Sequence, residues 1–485
     1  MNKKLKSSSV GYRLKFLAKD AFFYGGLAAL GRFSSILTFP FLTRLLSKET
    51  FGVLDLFLVV EMLFVFLSIM GQDSALARYF YDDEDINARK AICTSSLLVQ
   101  LTLGLFVIGG LLYFRSEIMA IYGVPPIYEP LMWILALKIF LTIPLNYSIN
   151  LMKWSYERNG FAYLTLGSST CIIFAALIGA YFFENPLMSI LVLQCCALLL
   201  FAVFGLFLCR GWFGRIATAP IIRALFTFGI PYGIISLSAN LVPSVDRSMI
   251  SQSLGIEAIA IYAVANRVAN LFRVGTTAFQ TAWGPFYMST YKTDDAQDSF
   301  DLILRSYCVF GAVLFIIFSA CANWFVPLLA GEQYSEAAGL SIFLAYGIII
   351  QGAGWITGIG SFIAKKPVYD LSSYLVQLIT TFIGIYLLLP IYGLMGAAIS
   401  IVLGYLSQAI SMTALGYYSY SLRFSLVRPF LAMLLGLLFT LGQSLVIDIF
   451  NSFLFYLFMF ISIIFILFIG SSAQERKYLL ARLRS

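Results

Sequence analysis

Not one histidine occurs among the 485 residues. The commonest metal ligand and the usual general base are therefore missing, so any proton traffic must run through carboxylates. Charge is scarce as well: Asp, Glu, Lys and Arg make up 12% of the chain, against 60% hydrophobic residues. Soluble domains carry roughly twice that charged fraction, and no soluble domain of useful size is left over. The seven cysteines, Cys93, Cys171, Cys195, Cys196, Cys209, Cys308 and Cys321, form no CxxC pair and mostly lie within apolar runs. They read as small core residues rather than redox or metal ligands. Catalytic residues, a metal and a cofactor are all unexpected.

What the chain has is length and grease. Apolar runs near the ~20 residues that a helix needs to cross a bilayer recur throughout. They are continuous rather than alternating in polarity, which excludes barrel strands. Spans are expected near 21–45, 51–74, 91–113, 127–150, 161–183, 187–209, 222–247, 255–287, 302–328, 336–363, 369–389, 394–418, 427–449 and 452–471. The class is thus an all-α polytopic membrane protein of about fourteen helices. The basic start, "MNKKLKSSSVGYRLKFLAKD", lacks the short apolar core and cleavage site of a signal peptide, so Ala21 onward is expected to be a retained first helix.

The net charge of +8 lies mainly in loops and reports topology rather than nucleic-acid binding. With loops numbered alternately, one side collects twenty-four Lys and Arg, and the other only Arg44, Lys48 and Arg115. That split places both termini in the cytoplasm. It also leaves short outer loops, which argues against a membrane polymerase or ligase and against an enzyme in general.

The chain repeats itself. "FPFLTRLLSKETFGVLDL" and "VPSVDRSMISQSLGIEAI" share Pro, three residues, Arg, seven residues, Gly: Pro40, Arg44 and Gly52 become Pro243, Arg247 and Gly255. The two copies sit in the first and seventh helices. The copies are offset by six helices, an even number, which makes the repeat parallel. The expected organisation is a basic segment 1–20, a lobe 21–209, a second lobe 222–420, an additional helix pair 427–471 and a basic tail 472–485.

Charges inside a membrane usually face a bundle interior or a wet cavity. The cationic candidates are Arg32, Lys138, Arg267 and Arg273, with Arg44 and Arg247 nearer the outer rim. Asp55, Glu61 and Asp73 run along the second helix, as ion-pair partners or as coupling sites, and Asp246 stands beside Arg247. In the eighth helix Tyr262, Asn266, Asn270, Arg273, Thr277 and Gln280 share one face. Such a stripe suits a water-filled cavity, with a buried polar interface between helices as the other reading. Pro40 and Pro243 each remove a backbone bond and bend the helix beside an arginine. So many guanidinium groups favour an anionic ligand, since the planar fork grips phosphate oxygens in pairs. "GAGWITGIG" resembles a nucleotide loop but lies within an apolar span, where Gly354 and Gly358 fit close helix contact instead.

"GLAALGRFSSILTFPFLTRLLSKETFGVLDL", followed by "GQDSALARYF", resembles the N-terminal signature of bacterial oligosaccharide-lipid flippases. These exporters of O-antigen and polysaccharide belong to the multidrug/oligosaccharidyl-lipid/polysaccharide superfamily. The resemblance implies a two-lobed transporter of the bacterial inner membrane that alternates access to a cationic cavity. Its cargo would be an undecaprenyl-diphosphate-linked oligosaccharide, with membrane lipids and a polysaccharide polymerase or assembly machinery as partners. The last two helices would guide the lipid tail. A cation-coupled multidrug exporter of the same superfamily is the alternative; cationic drugs would want a cavity dominated by acids.

Overall fold

An apolar run in hydrocarbon must satisfy its own backbone, and helices do so within one segment. The computed structural model describes residues 27, 38–80, 85–294, 296–364, 366–420, 422–449 and 452–470, and the regular structure there is helical. Arg32, Lys365, the basic N-terminal segment 1–20 and the tail 472–485 lie outside the described residues. The chain is an all-α polytopic membrane protein. Nine described helices are long and apolar enough to span a bilayer.

By contacts the chain divides into two units, Met1–Ala260 and Ile261–Ser485. After a helical stretch at 38–45, the first unit contains α1 (Lys48–Ile69), α2 (Gln72–Phe80), α3 (Ile86–Tyr113) and α4 (Leu131–Trp154). It continues with α5 (Ser168–Phe182), α6 (Pro186–Cys209) and α7 (Ala219–Leu254). Ser47 opens α1 by accepting the Thr50 N–H, and Asp85 opens α3 by accepting from Asn87 and Ala88. These side chains occupy backbone donors that a helix start leaves orphaned. A core of α2, α3, α4 and α6 side chains includes Tyr147, whose hydroxyl donates to the Cys93 carbonyl at 2.7 Å.

Two features depart from the expected spans. The second span, expected unbroken over 51–74, is broken at Met70 (φ 41°) and Gly71 (φ 71°), which separate α1 from α2. A side chain on Gly71 would run into the backbone of Gly229 and Gly233 of α7, and one on Gly233 would lie 2.7 Å from the Met70 carbonyl carbon. Backbone therefore rests directly on backbone at this crossing. Gln72 adds a bond from Nε2 to the Leu225 carbonyl at 3.4 Å. Through this contact α7 packs on α1 and α2 within the first unit, whereas counting repeats puts it at the head of the second lobe. Gly52 lies against the residue that follows its repeat counterpart Gly255, because a Cβ at Gly52 would meet the carbonyl of Ile256.

The second unit holds most of α8 (Ile256–Thr290), then α9 (Ala296–Ala330) and α10 (Ala337–Thr357). α11 (Pro367–Ser419), α12 (Val427–Ile449) and α13 (Ser452–Gly470) complete it. α8 is not among the nine apolar spans; its polar stripe lowers its hydropathy. α11 is two spans in one, interrupted at Gly393 with φ 57° and ψ −141°. Gly384 lies against Ser400, Gly396 against Leu388 and Gly404 against Thr381, the pairing of an antiparallel helical hairpin. Gly354 and Gly360 of the "GAGWITGIG" run press on Ala409 and Gly416 of α11, a helix contact and not a phosphate loop.

Candidate functional site: buried charges of the two units

α1 turns two carboxylates inward, and each meets a cation from another helix. Arg247 of α7 donates through Nε to Asp55 Oδ2 at 2.9 Å and through Nη1 to Asp246 Oδ1 at 3.0 Å. All three residues are buried. Lys138 of α4 reaches Glu61 Oε2 at 2.7 Å, with side-chain exposures of 4% and 15%. Pairs this dry are held by geometry and mutual charge rather than by solvent. Asp73 has a different place: its Oδ1 accepts the Ser74 N–H at 2.8 Å in the first turn of α2, where a helix favours negative charge.

The repeated passage makes the same local bond twice. Arg44 Nη1 donates to the Pro40 carbonyl at 3.2 Å, and Arg247 Nη1 to the Pro243 carbonyl at 3.5 Å. Each arginine thus covers the carbonyl one turn back, at its proline. The surroundings differ, because Arg44 is exposed whereas Arg247 is buried between carboxylates. The short helix Arg115–Ile121 and Tyr122 follow α3, and Gln252 of α7 donates to the Ile121 carbonyl at 2.7 Å. Burial pushes the Tyr122 phenol above its ordinary pKa.

In the second unit the α8 stripe divides. Tyr262 is fully buried, Asn266, Arg267, Asn270, Arg273 and Thr277 are half-buried, and Gln280 is exposed. Arg273 binds three neutral oxygens: Asn270 Oδ1 at 2.9 Å, Gln351 Oε1 at 3.0 Å and the Tyr405 hydroxyl at 2.8 Å. Gln351 continues to Gln408 Oε1 at 3.0 Å. At its centre, then, the stripe faces α10 and α11 as a polar helix interface. Amide and phenol dipoles orient this guanidinium without cancelling its charge, and three of its five N–H donors are used. Arg267 acts on Tyr334 beyond α9: burial pushes that phenol up to about 12, and the arginine's charge works against the shift.

The candidates therefore fall into separate sets. Asp55, Asp246, Arg247 and Pro243 come together, Glu61 meets Lys138, and Asn270 meets Arg273. Gln351, Gln408 and Tyr405 escaped the sequence reading. Their signal was available, since a lone glutamine inside "IIIQGAG" or "YLSQAIS" is as costly in hydrocarbon as the stripe it serves.

Comparisons with known proteins bear on what this arrangement serves. The chain has no match among curated protein sequences. Its fold is that of solved transporters. The lipid II flippase MurJ, in an inward closed conformation, superposes with a TM-score of 0.71 at 12% identity, covering 96% of this chain and 99% of that one. An inward-facing multidrug resistance MATE family transporter of the MOP superfamily gives 0.67 at 16% identity, covering 82% and 94%. A MOP superfamily transporter from Pyrococcus furiosus, whose binding pocket is described as of reverse polarity, gives 0.58 at 16%, covering 86% and 98%. At such identities the likeness establishes fold alone. Residues 41–339 match the profile of the polysaccharide biosynthesis proteins, and the chain belongs to that family.

Proposed function

We propose that this protein turns an undecaprenyl-diphosphate-linked oligosaccharide from the inner to the outer leaflet of the bacterial cytoplasmic membrane by alternating access. Both termini then face the cytoplasm, in line with the loop charges. The family supports a role in polysaccharide synthesis, and one observation carries the choice of an anionic lipid cargo. Arg273, within a membrane helix, has neutral partners and keeps its charge and two N–H donors. A diphosphate supplies the planar pairs of oxygens that such a fork grips. Asn266, Asn270 and Gln280 offer amides along the same helix for sugar hydroxyls, and Arg267 adds a second cation. Arg247 and Lys138 are occupied by carboxylates, so cargo would engage them only by exchange. Arg44 stands exposed beside Pro40, at the expected hinge of its helix.

The experiment is complementation of a deletion strain at matched membrane levels, reading accumulated lipid-linked sugar. Arg273→Ala should lower export at least tenfold, about 1.4 kcal/mol of lost interaction, and Arg273→Lys should restore only part. Normal export by both variants would sink the reading. A cation-coupled drug exporter draws instead on the two carboxylates around Arg247. It predicts altered drug susceptibility in the deletion strain with no accumulated lipid-linked sugar.

A further inference from the structure

A crevice of about 230 Å³ opens on the first unit, apart from all the charges described above. Its walls are almost wholly apolar: Leu98, Val99 and Leu103 of α3, opposed by Ile216, Ile222 and Phe226 at the entry to α7. The wall from the linker is fixed in place. Gly214 N–H donates to Thr94 Oγ1 at 2.9 Å, Thr94 Oγ1 donates to the Gly214 carbonyl at 3.2 Å, and Ala217 N–H donates to Ser95 Oγ at 2.7 Å. The linker between α6 and α7 is thus stitched to the first turns of α3.

Three cations stand close in the chain to the crevice's lining, where α3 and α7 begin. Lys90 lies under the linker, its Cβ 3.0 Å from where a Cβ of Gly214 would stand. Arg215 is exposed one residue before Ile216, and Arg223 is exposed one residue after Ile222. None of the three pairs with a carboxylate among the described residues. An apolar slot along a membrane helix, ending in unpaired positive charge, has the polarity of a lipid that carries a negative headgroup above its tail. Two spanning helices starting side by side put that boundary at the depth where headgroups meet tails.

We propose that this crevice holds one phospholipid with an anionic phosphate headgroup, its tail between α3 and α7 and its phosphate on Lys90, Arg215 and Arg223. The bound lipid would brace the linker through which α7 joins α6. The site does not depend on which cargo the protein carries.

Native mass spectrometry of the full-length protein tests it, with phosphatidylglycerol and phosphatidylcholine of identical tails added in turn. Wild type should retain phosphatidylglycerol at least fivefold better than phosphatidylcholine, and millimolar inorganic phosphate should not displace it. The triple variant Lys90→Gln, Arg215→Gln, Arg223→Gln should bring phosphatidylglycerol down to the phosphatidylcholine level. Thr102 lines the slot and is exposed, so Thr102→Phe should obstruct the slot without disturbing the core and lower phosphatidylglycerol retention. Equal retention of the two lipids by wild type would overturn the proposal. So would undiminished phosphatidylglycerol on either variant, or its displacement by free phosphate.

Discussion

A guanidinium within a membrane-spanning bundle is costly, by ~2.5–3.5 kcal/mol at the bilayer centre on an insertion scale, and this chain answers that cost in two ways. Arg247 sits between two carboxylates, whereas Arg273 is held by an amide pair and a phenol. The first arrangement fixes a helix and the second keeps a charge in reserve. Lys138 and Glu61 follow the first pattern. Lys138→Met should therefore destabilise the protein by about 3–5 kcal/mol, because it strands a buried carboxylate. Adding Glu61→Gln should recover most of that loss, and thermal unfolding of the detergent-purified protein measures both. An unchanged melting temperature in Lys138→Met would show that the pair contributes nothing. Asp246 could be read as a partner of Arg247 because the two are adjacent. Asp55 could not be assigned to that arginine, since 192 positions separate them and only the packing of α7 on α1 brings them together.

Helices in this chain meet where side chains are missing. The Met70–Gly71 break rests on the Gly229–Gly233 stretch of α7, with Pro231 between those glycines. Gly71→Ala is expected to be costly twice over. Its positive φ disfavours a Cβ by ~1–3 kcal/mol, and the new methyl would press on the α7 backbone. Gly109→Ala is the control, because nothing lies within 4 Å of a Cβ there. Melting curves should separate the two variants by several degrees, and equal curves would mean that the crossing bears no load. Element existence was legible from apolar runs, since a span of some twenty apolar residues has few alternatives in a bilayer. The break at Met70 was not legible, because "SIMGQDS" is ordinary as sequence. What selects the break is the backbone of a helix about 160 residues away in the chain. Likewise the polar stripe of α8 showed in its spacing, but whether it faced water or α10 and α11 depended on glutamines in other helices.

At the scale of the whole chain, the loop charges make a claim that labelling can check. Single cysteines at Glu332 and at Lys366 should react with impermeant reagents from opposite sides of the membrane, Glu332 from outside. Labelling from one side would remove a span between them and undo the fourteen-helix count. Between Lys366 and the next expected cytoplasmic cations, Arg423 and Arg428, lies the paired helix α11. Its turn, "LLLPIYG" at 387–393, contains no charged residue, and Ile391 and Tyr392 stand largely exposed there. Nothing in that turn would halt transfer of the chain or anchor a half-finished product at the far surface. Gly384, Gly396 and Gly404 meanwhile need the opposite arm in place for their contacts. The contacts of the two arms are thus complete only in the closed pair, so the apolar turn at Gly393 joins two spans that depend on each other rather than two independent ones.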